Sequence, residues 1–204
     1  GCMTDRSFFN VITGRVCTRM KDGEFILNNE RHKLNNNNGN NHLHGGSIGF
    51  NKRLWNLDSI DETSDEVIVS MSYLSEHLEE NYPGNLSCIT KYKFNNNNEF
   101  SICYSATTDQ DTIVNITNHN YWNFHGHNDH YGKILNHGVQ IYGDEVCEVE
   151  ADLIPNGNFL NVVNTKYDFV ESNMISKDLL EQGGIDINYA VNHQKVMKPV
   201  GRVW

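Results

Sequence analysis

Two segments of the sequence concentrate side chains that can exchange protons or bind hydroxyl groups. The first reads Asn-His-Leu-His-Gly-Gly-Ser-Ile-Gly-Phe over residues 41–50 and is followed by Trp55. The second reads Asn-Ile-Thr-Asn-His-Asn-Tyr-Trp-Asn-Phe over residues 115–124. Amide and imidazole groups hydrogen-bond hydroxyls, and aromatic faces stack on the C–H face of a pyranose. Both segments therefore favour sugar binding, and a polar turn followed by core aromatic residues is the alternative interpretation.

The first segment also combines paired glycines with large aromatic side chains. Gly45 and Gly46 lack a Cβ atom, so the backbone can pass close to a ligand at this point. Phe50 and Trp55 supply flat apolar surface. We therefore expect all of these residues to lie beside a bound sugar.

Histidine spacing raises a second hypothesis, a metal site. His42 and His44, and likewise His125 and His127, are two residues apart and would share one face of a β-strand. Neither pair has a carboxylate or thiolate at a familiar ligand spacing, and His125, His127 and His130 are expected on a loop. We predict no metal site and no cofactor, and a metal-dependent β-barrel enzyme of the cupin type is the less favoured alternative.

The elements that must position these residues are predicted to be β-strands. Apolar, β-branched and aromatic residues alternate with polar ones over residues 24–29, 66–75, 86–94, 99–108, 112–122, 138–150 and 187–192. Turn signals lie between them, including Pro155-Asn156-Gly157. One short helix is predicted over residues 176–181, with Ser176 as its cap. The predicted fold class is all-β, an antiparallel β-sandwich, in a single domain over residues 1–204.

Asparagine tracts occupy residues 35–38 and 95–98. Such runs resist burial, so we expect both tracts to form surface loops without a function of their own. The second tract separates Lys-Tyr-Lys-Phe from Glu-Phe-Ser-Ile-Cys-Tyr-Ser-Ala, which predicts a β-hairpin.

Composition excludes several classes of partner. The net charge of −10 and the pI of about 5.4 argue against a nucleic-acid surface or an anionic membrane partner. No apolar run approaches the roughly 18 residues of a membrane-spanning helix, and the N-terminal segment lacks the pattern of a signal peptide. The 5 cysteines form no C-x-x-C pair. We expect them to be reduced, mostly buried thiols in a cytoplasmic protein.

Beyond this reading of the residues, the chain resembles the aldose 1-epimerase (galactose mutarotase) family. The run NHLHGGSIGFNKRLW resembles the family's N-x-L-H-G-G-x-x-G-F…W signature, and TNHNYWNFHG is similar to its T-N-H-x-Y-F-N-L-x-G signature. Upstream, GRVCTRM resembles G-R-x-A-N-R-I. Downstream, NYPGNL, DLIPNGNF, TKYDF and GIDINYAV are similar to family segments in the same order. The resemblance extends from about Phe8 to Trp204 and implies a galactose mutarotase-like supersandwich.

Matching the motifs position by position implies roles for individual residues. Arg19 matches the family's substrate-binding arginine, and Asp186 matches the aspartate that holds sugar hydroxyls. His44 matches an active-site histidine that serves both catalysis and substrate binding, and His119 matches the catalytic histidine. Arg15, also within a motif, matches the outer arginine, for which we expect a structural role.

At two positions near these residues the chain departs from the family's usual residue, and a third lies where the family varies. Thr18 stands where the family usually has asparagine, and Ile187 where it often has histidine. His42 lies at a position where the family varies, so we interpret it as a neighbour of the site.

The activity implied by the resemblance is the interconversion of α and β anomers of free aldohexoses such as galactose and glucose. Ring opening needs an acid and a base together. Imidazole suits the acid role at neutral pH, and we assign that role to His119. The resemblance implies that the base is a glutamate downstream of the segment matching Asp186, beyond Trp204.

Relative to the family, the chain is expected to be truncated at both ends, giving an incomplete sandwich. A monosaccharide is the expected partner, and a completing polypeptide or an identical copy, as in a homo-oligomer, would cover the open sheet edges. The alternative function is a truncated carbohydrate-binding pseudoenzyme that lacks the catalytic base.

Overall fold

The fold is described from a computed structural model, which defines residues 7–126, 134–191 and 198–204. Within these residues, every ladder that joins two strands is antiparallel, and the α-helical structure is a single segment of 5 residues. This confirms the prediction of an all-β, antiparallel chain with one short helix. No helix in the described ranges is long and apolar enough to span a membrane.

The chain folds into two compact units, and the first comprises Gly1–Tyr121. Its strands are β1 (Ile12–Thr13), β2 (Arg19–Met20), β3 (Glu24–Leu27), β4 (Glu30–Lys33), β5 (His42–Leu43), β6 (Asn56–Glu62), β7 (Glu66–Ser75), β8 (Leu86–Asn95), β9 (Phe100–Thr108) and β10 (Thr117–Asn118). The largest sheet has the order β6-β7-β8-β9, and the remaining described strands form the pairs β1-β10, β2-β5 and β3-β4.

The four-stranded sheet follows from alternation in the sequence. Along β8, Leu86, Cys88 and Thr90 are buried while the residues between them are exposed, as a strand with one covered face requires. The predicted hairpin between β8 and β9 is confirmed, because the Asn95 side-chain oxygen accepts hydrogen bonds from the backbone of Asn97 and Glu99 at 3.0 and 3.1 Å. The second asparagine tract therefore forms this turn.

The second unit comprises Trp122–Trp204. Its described elements are β11 (Gly138–Ile141), β12 (Glu145–Val149), β13 (Pro155–Asn161), β14 (Asn173–Met174), α1 (Lys177–Glu181), β15 (Tyr189–Ala190) and β16 (Gly201–Val203). These strands form two three-stranded sheets, with orders β14-β11-β16 and β13-β12-β15. The organisation of residues 1–204 as a single domain stays a prediction.

In the second unit, the predicted helix is confirmed and one predicted turn is wrong. The helix α1 begins where expected, and the Ser176 hydroxyl oxygen accepts a hydrogen bond from the Leu179 backbone N–H at 3.1 Å. The turn predicted over residues 155–157 is wrong, since these residues begin β13. Side chains of Asn156 and Asn158 donate to the Glu148 carboxylate on β12, which stabilises an asparagine-rich strand and lowers the pKa of Glu148.

Two further strand predictions are wrong. Residues 112–122 were predicted as one strand, but only Thr117–Asn118 form β10. The strand β6, rich in Asp and Ser, was not predicted at all. Its pairing with β7 contains an irregularity between Leu57 and Ser59, which obscures the period of two in the sequence.

The cysteines within the described ranges are free thiols. Cys88 is buried, as predicted, and burial raises the pKa of its thiol to about 11. Cys103 is exposed, against the expectation, because it lies opposite Lys91 on the outer face of the β8-β9 pair. Cys2 lies outside the described residues.

A buried arginine joins separate parts of the first unit. Arg15 is only 1% exposed, and burial lowers the pKa of its guanidinium. Its Nε donates to the Ser75 hydroxyl at 2.9 Å, Nη1 to the Pro83 carbonyl at 2.8 Å, and Nη2 to the carbonyls of Ser75 and Glu76 at 2.8 Å. The structural role expected for Arg15 is confirmed.

Arg15→Met is expected to lower the free energy of unfolding by about 2–5 kcal/mol, because it leaves several buried acceptors unsatisfied. Urea denaturation followed by tryptophan fluorescence measures the loss. The matched control is Arg31→Met, which removes an arginine whose side chain is 71% exposed and should cost no more than about 0.5 kcal/mol. Equal losses in the two variants would contradict the structural role of Arg15.

Candidate functional site

The structure brings together two of the predicted site histidines. The ring centroids of His44 and His119 are 5.2 Å apart and their planes are nearly perpendicular, at 89°. Phe8 contacts both rings, with centroid distances of 4.8 Å to His44 and 5.9 Å to His119. Tyr121 stacks on His119 at 5.0 Å. Two imidazoles framed by aromatic rings therefore form the centre of the candidate site.

His44 is fixed by a reciprocal contact with Thr18. It follows the last residue of β5 with a φ of +51°, and its backbone N–H donates to the Thr18 carbonyl at 3.1 Å. In return, the Thr18 backbone N–H donates to Nδ1 of the His44 ring at 3.1 Å. Because Nδ1 accepts a hydrogen bond, the neutral ring carries its hydrogen on Nε2. His44 is thus arranged as a hydrogen-bond donor.

His119 is held through its backbone, which leaves its ring for chemistry. It follows β10, its N–H donates to the Val11 carbonyl at 2.9 Å, and its carbonyl accepts from the Asn10 N–H at 2.9 Å. Within residues 7–126, 134–191 and 198–204, neither ring nitrogen of His119 has a protein hydrogen-bond partner. A half-buried imidazole of this kind can exchange a proton with a ligand.

Arg19 lies next to His44 through strand pairing. It is the first residue of β2 and stands opposite Leu43, the residue before His44, in the β2-β5 ladder. Its Nε donates to the side-chain oxygen of Asn38 at 3.3 Å. Arg19 makes no ion pair with any other residue that the structure describes, so its charge is available to a ligand.

Both glycines are required by contacts within the protein, and the prediction that they approach a ligand stays a prediction. A Cβ on Gly45 would lie 1.6 Å from the Gly14 carbonyl oxygen, and one on Gly46 would lie 2.2 Å from a carboxylate oxygen of Glu80. Glu80 also accepts the backbone N–H of Ile48 at 2.7 Å. The glycines are needed so that this loop can pass between Gly14 and Glu80.

Phe50 is a core residue, so the expectation that it provides a sugar-binding surface is wrong, and Trp55 is half-buried and packs against that core. Phe50 is 2% exposed and packs edge-to-face against Trp55 and Tyr73. The Trp55 indole N–H donates to the Phe50 carbonyl at 3.3 Å. Both aromatic side chains anchor the loop from within.

His42 lies beside the site but belongs to the core. Its Nδ1 and the Asn35 carbonyl are 2.6 Å apart, and the Tyr82 hydroxyl lies 2.6 Å from Nε2. Burial lowers the pKa of His42. His42 and His44 do not form the metal pair considered above, and the described ranges contain no group of three potential ligands.

A hollow of about 540 Å³ is bordered by Phe8, which also contacts both histidine rings, but His44, His119 and Arg19 are not among its lining residues. Its lining residues are Phe8, Asn37, Asn38, Leu43, Gly46, Ser47 and Lys52. Phe8, Asn37 and Asn38 were not predicted as site residues from the sequence. The available signal was position alone, since Phe8 precedes the Gly-Arg motif and the asparagines precede the histidine-glycine segment.

Asp186 belongs to the second unit. It is exposed, in the loop between α1 and β15, and Ile187 follows it. Its participation in one site with Arg19, His44 and His119 stays a prediction. His127 and His130 lie outside the described residues.

Comparisons with known proteins identify similar sequences along most of the chain. The family model described as Aldose 1-epimerase matches residues 1–203. A galactose mutarotase from Bos taurus is 34% identical along 100% of this chain and 58% of its own length, and an aldose 1-epimerase from Escherichia coli (strain K12) is 32% identical along 88% of this chain and 50% of its own. The chain therefore spans between 50% and 58% of the length of these curated relatives.

Solved structures show the same fold. A galactose 1-epimerase from Lactobacillus acidophilus NCFM matches with a TM-score of 0.85 and 25% identity, over 99% of this chain and 60% of its own. An aldose epimerase homologue from C. elegans matches with a TM-score of 0.83 and 24% identity, with the same coverage. These matches confirm the predicted β-sandwich of the galactose mutarotase type.

Protonation of His42 is expected to weaken the fold in acid. Because its pKa is lower in the folded than in the unfolded chain, the unfolded chain binds the proton first, so stability falls as pH drops below about 6.5. The slope from this one group is at most about 1.4 kcal/mol per pH unit. The loss from His42 stops below its folded-state pKa.

His42→Gln, which keeps a donor and an acceptor but cannot titrate, should show a shallower decline. Urea denaturation at several pH values between 7 and 5 measures it. The matched control is His32→Gln, whose histidine stacks on Phe25 and shows no comparable burial. An unchanged pH slope in His42→Gln would contradict the prediction.

Proposed function

The chain belongs to the aldose 1-epimerase family, and from that premise we propose that the protein containing it interconverts the α and β anomers of free aldohexoses such as galactose and glucose. The observation that carries the proposal is the pair formed by His44 and His119, with ring centroids 5.2 Å apart. The His44 ring is arranged as a hydrogen-bond donor, and the ring nitrogens of His119 have no hydrogen-bond partner among the residues described.

The reaction requires two coupled proton transfers. An acid protonates the ring oxygen while a base removes the proton of the anomeric hydroxyl, and the bond between C1 and the ring oxygen breaks. The open-chain aldehyde then rotates about the bond between C1 and C2. Reversal of both transfers closes the ring on the other face of the carbonyl.

His119 is the proposed acid. Its backbone is fixed on both sides by hydrogen bonds at 2.9 Å, so the ring has a defined position from which to deliver a proton. Stacking on Tyr121 restricts the ring further. Defined placement of an acid contributes to the rate because the reacting atoms need not search for their geometry.

His44 and Arg19 are proposed to hold the sugar. The Thr18 N–H directs the His44 hydrogen to Nε2, where a sugar oxygen would accept it. Arg19 adds several charged N–H donors that suit hydroxyl oxygens. Phe8, in contact with both histidine rings, is proposed as the apolar wall against the C–H face of the pyranose.

Asp186 is the proposed acceptor for sugar hydroxyls, and a glutamate is the proposed base. The family resemblance supports both assignments, with the glutamate in the part of the relatives that follows the segment matching Asp186. A free monosaccharide is the proposed substrate, and the proposal involves neither metal nor cofactor.

His119→Ala is expected to lower kcat by roughly 10² to 10⁴, the usual contribution of a positioned acid, with a smaller effect on sugar binding. Polarimetry on freshly dissolved α-galactose, using the protein that contains this chain, measures the rate. His32→Ala serves as the control because it removes an imidazole from β4, away from the described histidine pair.

Different results separate the candidate functions. An unchanged rate in His119→Ala would remove this residue from the mechanism. Galactose binding by the wild-type protein without any acceleration of mutarotation would favour the carbohydrate-binding pseudoenzyme.

Asp186→Ala is expected to weaken galactose binding roughly tenfold to a hundredfold, because hydrogen bonds to a charged group are lost. Titration followed by tryptophan fluorescence measures the dissociation constant. Asp178→Ala, an exposed acid in the first turn of α1, is the matched control. Equal affinity in Asp186→Ala and wild type would exclude Asp186 from the sugar site.

A further inference from the structure

We propose that Asn38, in the first asparagine tract, is a positioning residue for the sugar site and acts by holding the guanidinium of Arg19. The inference rests on the proposed function, since it assigns a role in the same site. It gives a function to a tract that composition alone predicts to be a passive surface loop.

The contact between the two side chains is specific. Asn38 accepts a hydrogen bond from Arg19 Nε at 3.3 Å, and this interaction is partly buried. It occupies Nε and leaves the four terminal N–H donors of the guanidinium for a ligand. Asn38 also lines the hollow that Phe8 borders, and Phe8 is the proposed apolar wall of the sugar site.

Asn38 is itself held in place by a tight turn. Its backbone N–H donates to the Asn41 carbonyl at 3.1 Å, and its carbonyl accepts from the Asn41 N–H at 3.0 Å. Gly39, inside this turn, has a φ of +61°, which glycine adopts without strain. Asn41 is 5% exposed and its side chain accepts from the Asp22 N–H at 3.0 Å. The turn therefore has a buried anchor.

Asn37 joins this turn to the end of β5, immediately before His44. Its side-chain oxygen accepts from the Leu43 N–H at 2.7 Å, and its amide donates to the carbonyls of Leu43 and Gly46, each at 2.9 Å. One amide group thus engages both backbone groups of Leu43, which is the partner of Arg19 in the β2-β5 ladder. The acceptor on Asn38 consequently keeps a fixed position relative to Arg19.

Preorganisation explains why this arrangement would matter for sugar binding. A free arginine side chain samples many rotamers, and ordering it costs free energy when the ligand binds. Asn38 restricts Arg19 before the sugar arrives, so part of that cost is removed from the binding step. Loss of the contact should raise KM, because binding weakens, and leave kcat nearly unchanged, because Asn38 does not reach the reacting atoms.

The test compares Asn38→Leu, which removes the acceptor, with Asn38→Asp, which keeps an oxygen in the same place. In polarimetric assays of the protein that contains this chain, Asn38→Leu is expected to raise KM for galactose roughly threefold to tenfold with kcat within about twofold. Asn38→Asp is expected to restore KM to within about twofold of wild type. Asn97→Leu, in the exposed turn of the second tract, should match wild type.

A double-mutant cycle with Arg19→Ala distinguishes positioning from a general loosening of the fold. Once Arg19 is absent, Asn38→Leu should raise KM no further. An unchanged KM in Asn38→Leu, failure of Asn38→Asp to restore it, or additive effects with Arg19→Ala would each overturn the proposal. Thermal unfolding of every variant checks that the change does not come from lost stability.

The proposed function and this inference fail in distinguishable ways. If the wild-type protein does not accelerate mutarotation, the proposed function fails, and the same variants are then compared by their dissociation constants for galactose. A threefold or greater loss of affinity in Asn38→Leu, absent in Asn38→Asp, would still support the positioning role. Equal affinities in all three proteins would reject it.

Discussion

The fold of the first unit depends on one buried guanidinium, because this group needs several hydrogen-bond acceptors. Arg15 is 1% exposed, and each of its N–H groups would be costly to leave unpaired. The acceptors come from Ser75, Glu76 and Pro83, so the end of β7 and the segment before β8 must fold against the residues that lead into β2. The same segment supplies Glu80, which holds the loop after His44. A charge outside the proposed chemistry thus sets the positions from which Arg19 and His44 act.

Part of the fold and site is readable from the sequence because it depends on local periodicity and on long motifs. The strand β8 shows clear alternation, α1 has a serine cap, and His44 and His119 lie within extended signatures. The remainder depends on which partner a residue meets across the chain. Sequence spacing could not show that Phe50 turns into the core or that Gly46 faces a carboxylate. It also could not show that asparagines, usually solvated, would stabilise the strand β13.

Three histidines of this unit, His42, His44 and His119, differ in protonation chemistry. The difference arises because each makes different hydrogen bonds to backbone groups. The Thr18 N–H directs the hydrogen of the His44 ring to Nε2. At His42, the Asn35 carbonyl requires a donor at Nδ1 and burial opposes the charged ring. In the part of the chain that the structure describes, His119 is hydrogen-bonded through its backbone alone, and its ring contacts only other aromatic rings. Three identical side chains are therefore suited to hydrogen-bond donation, core packing and proton exchange.

The turn that holds Asn38 also has a consequence for the chemical lifetime of the protein. Asn38 is followed by Gly39, which has open space around its Cα and no side chain to hinder its backbone nitrogen. In such asparagine-glycine pairs, that nitrogen attacks the asparagine side-chain carbonyl, ammonia is released, and hydrolysis of the cyclic imide yields aspartate or isoaspartate. The isoaspartate product lengthens the main chain by one carbon and displaces the oxygen that meets Arg19. The aspartate product would keep an oxygen beside Arg19, so the gradual loss of the contact would follow the isoaspartate fraction.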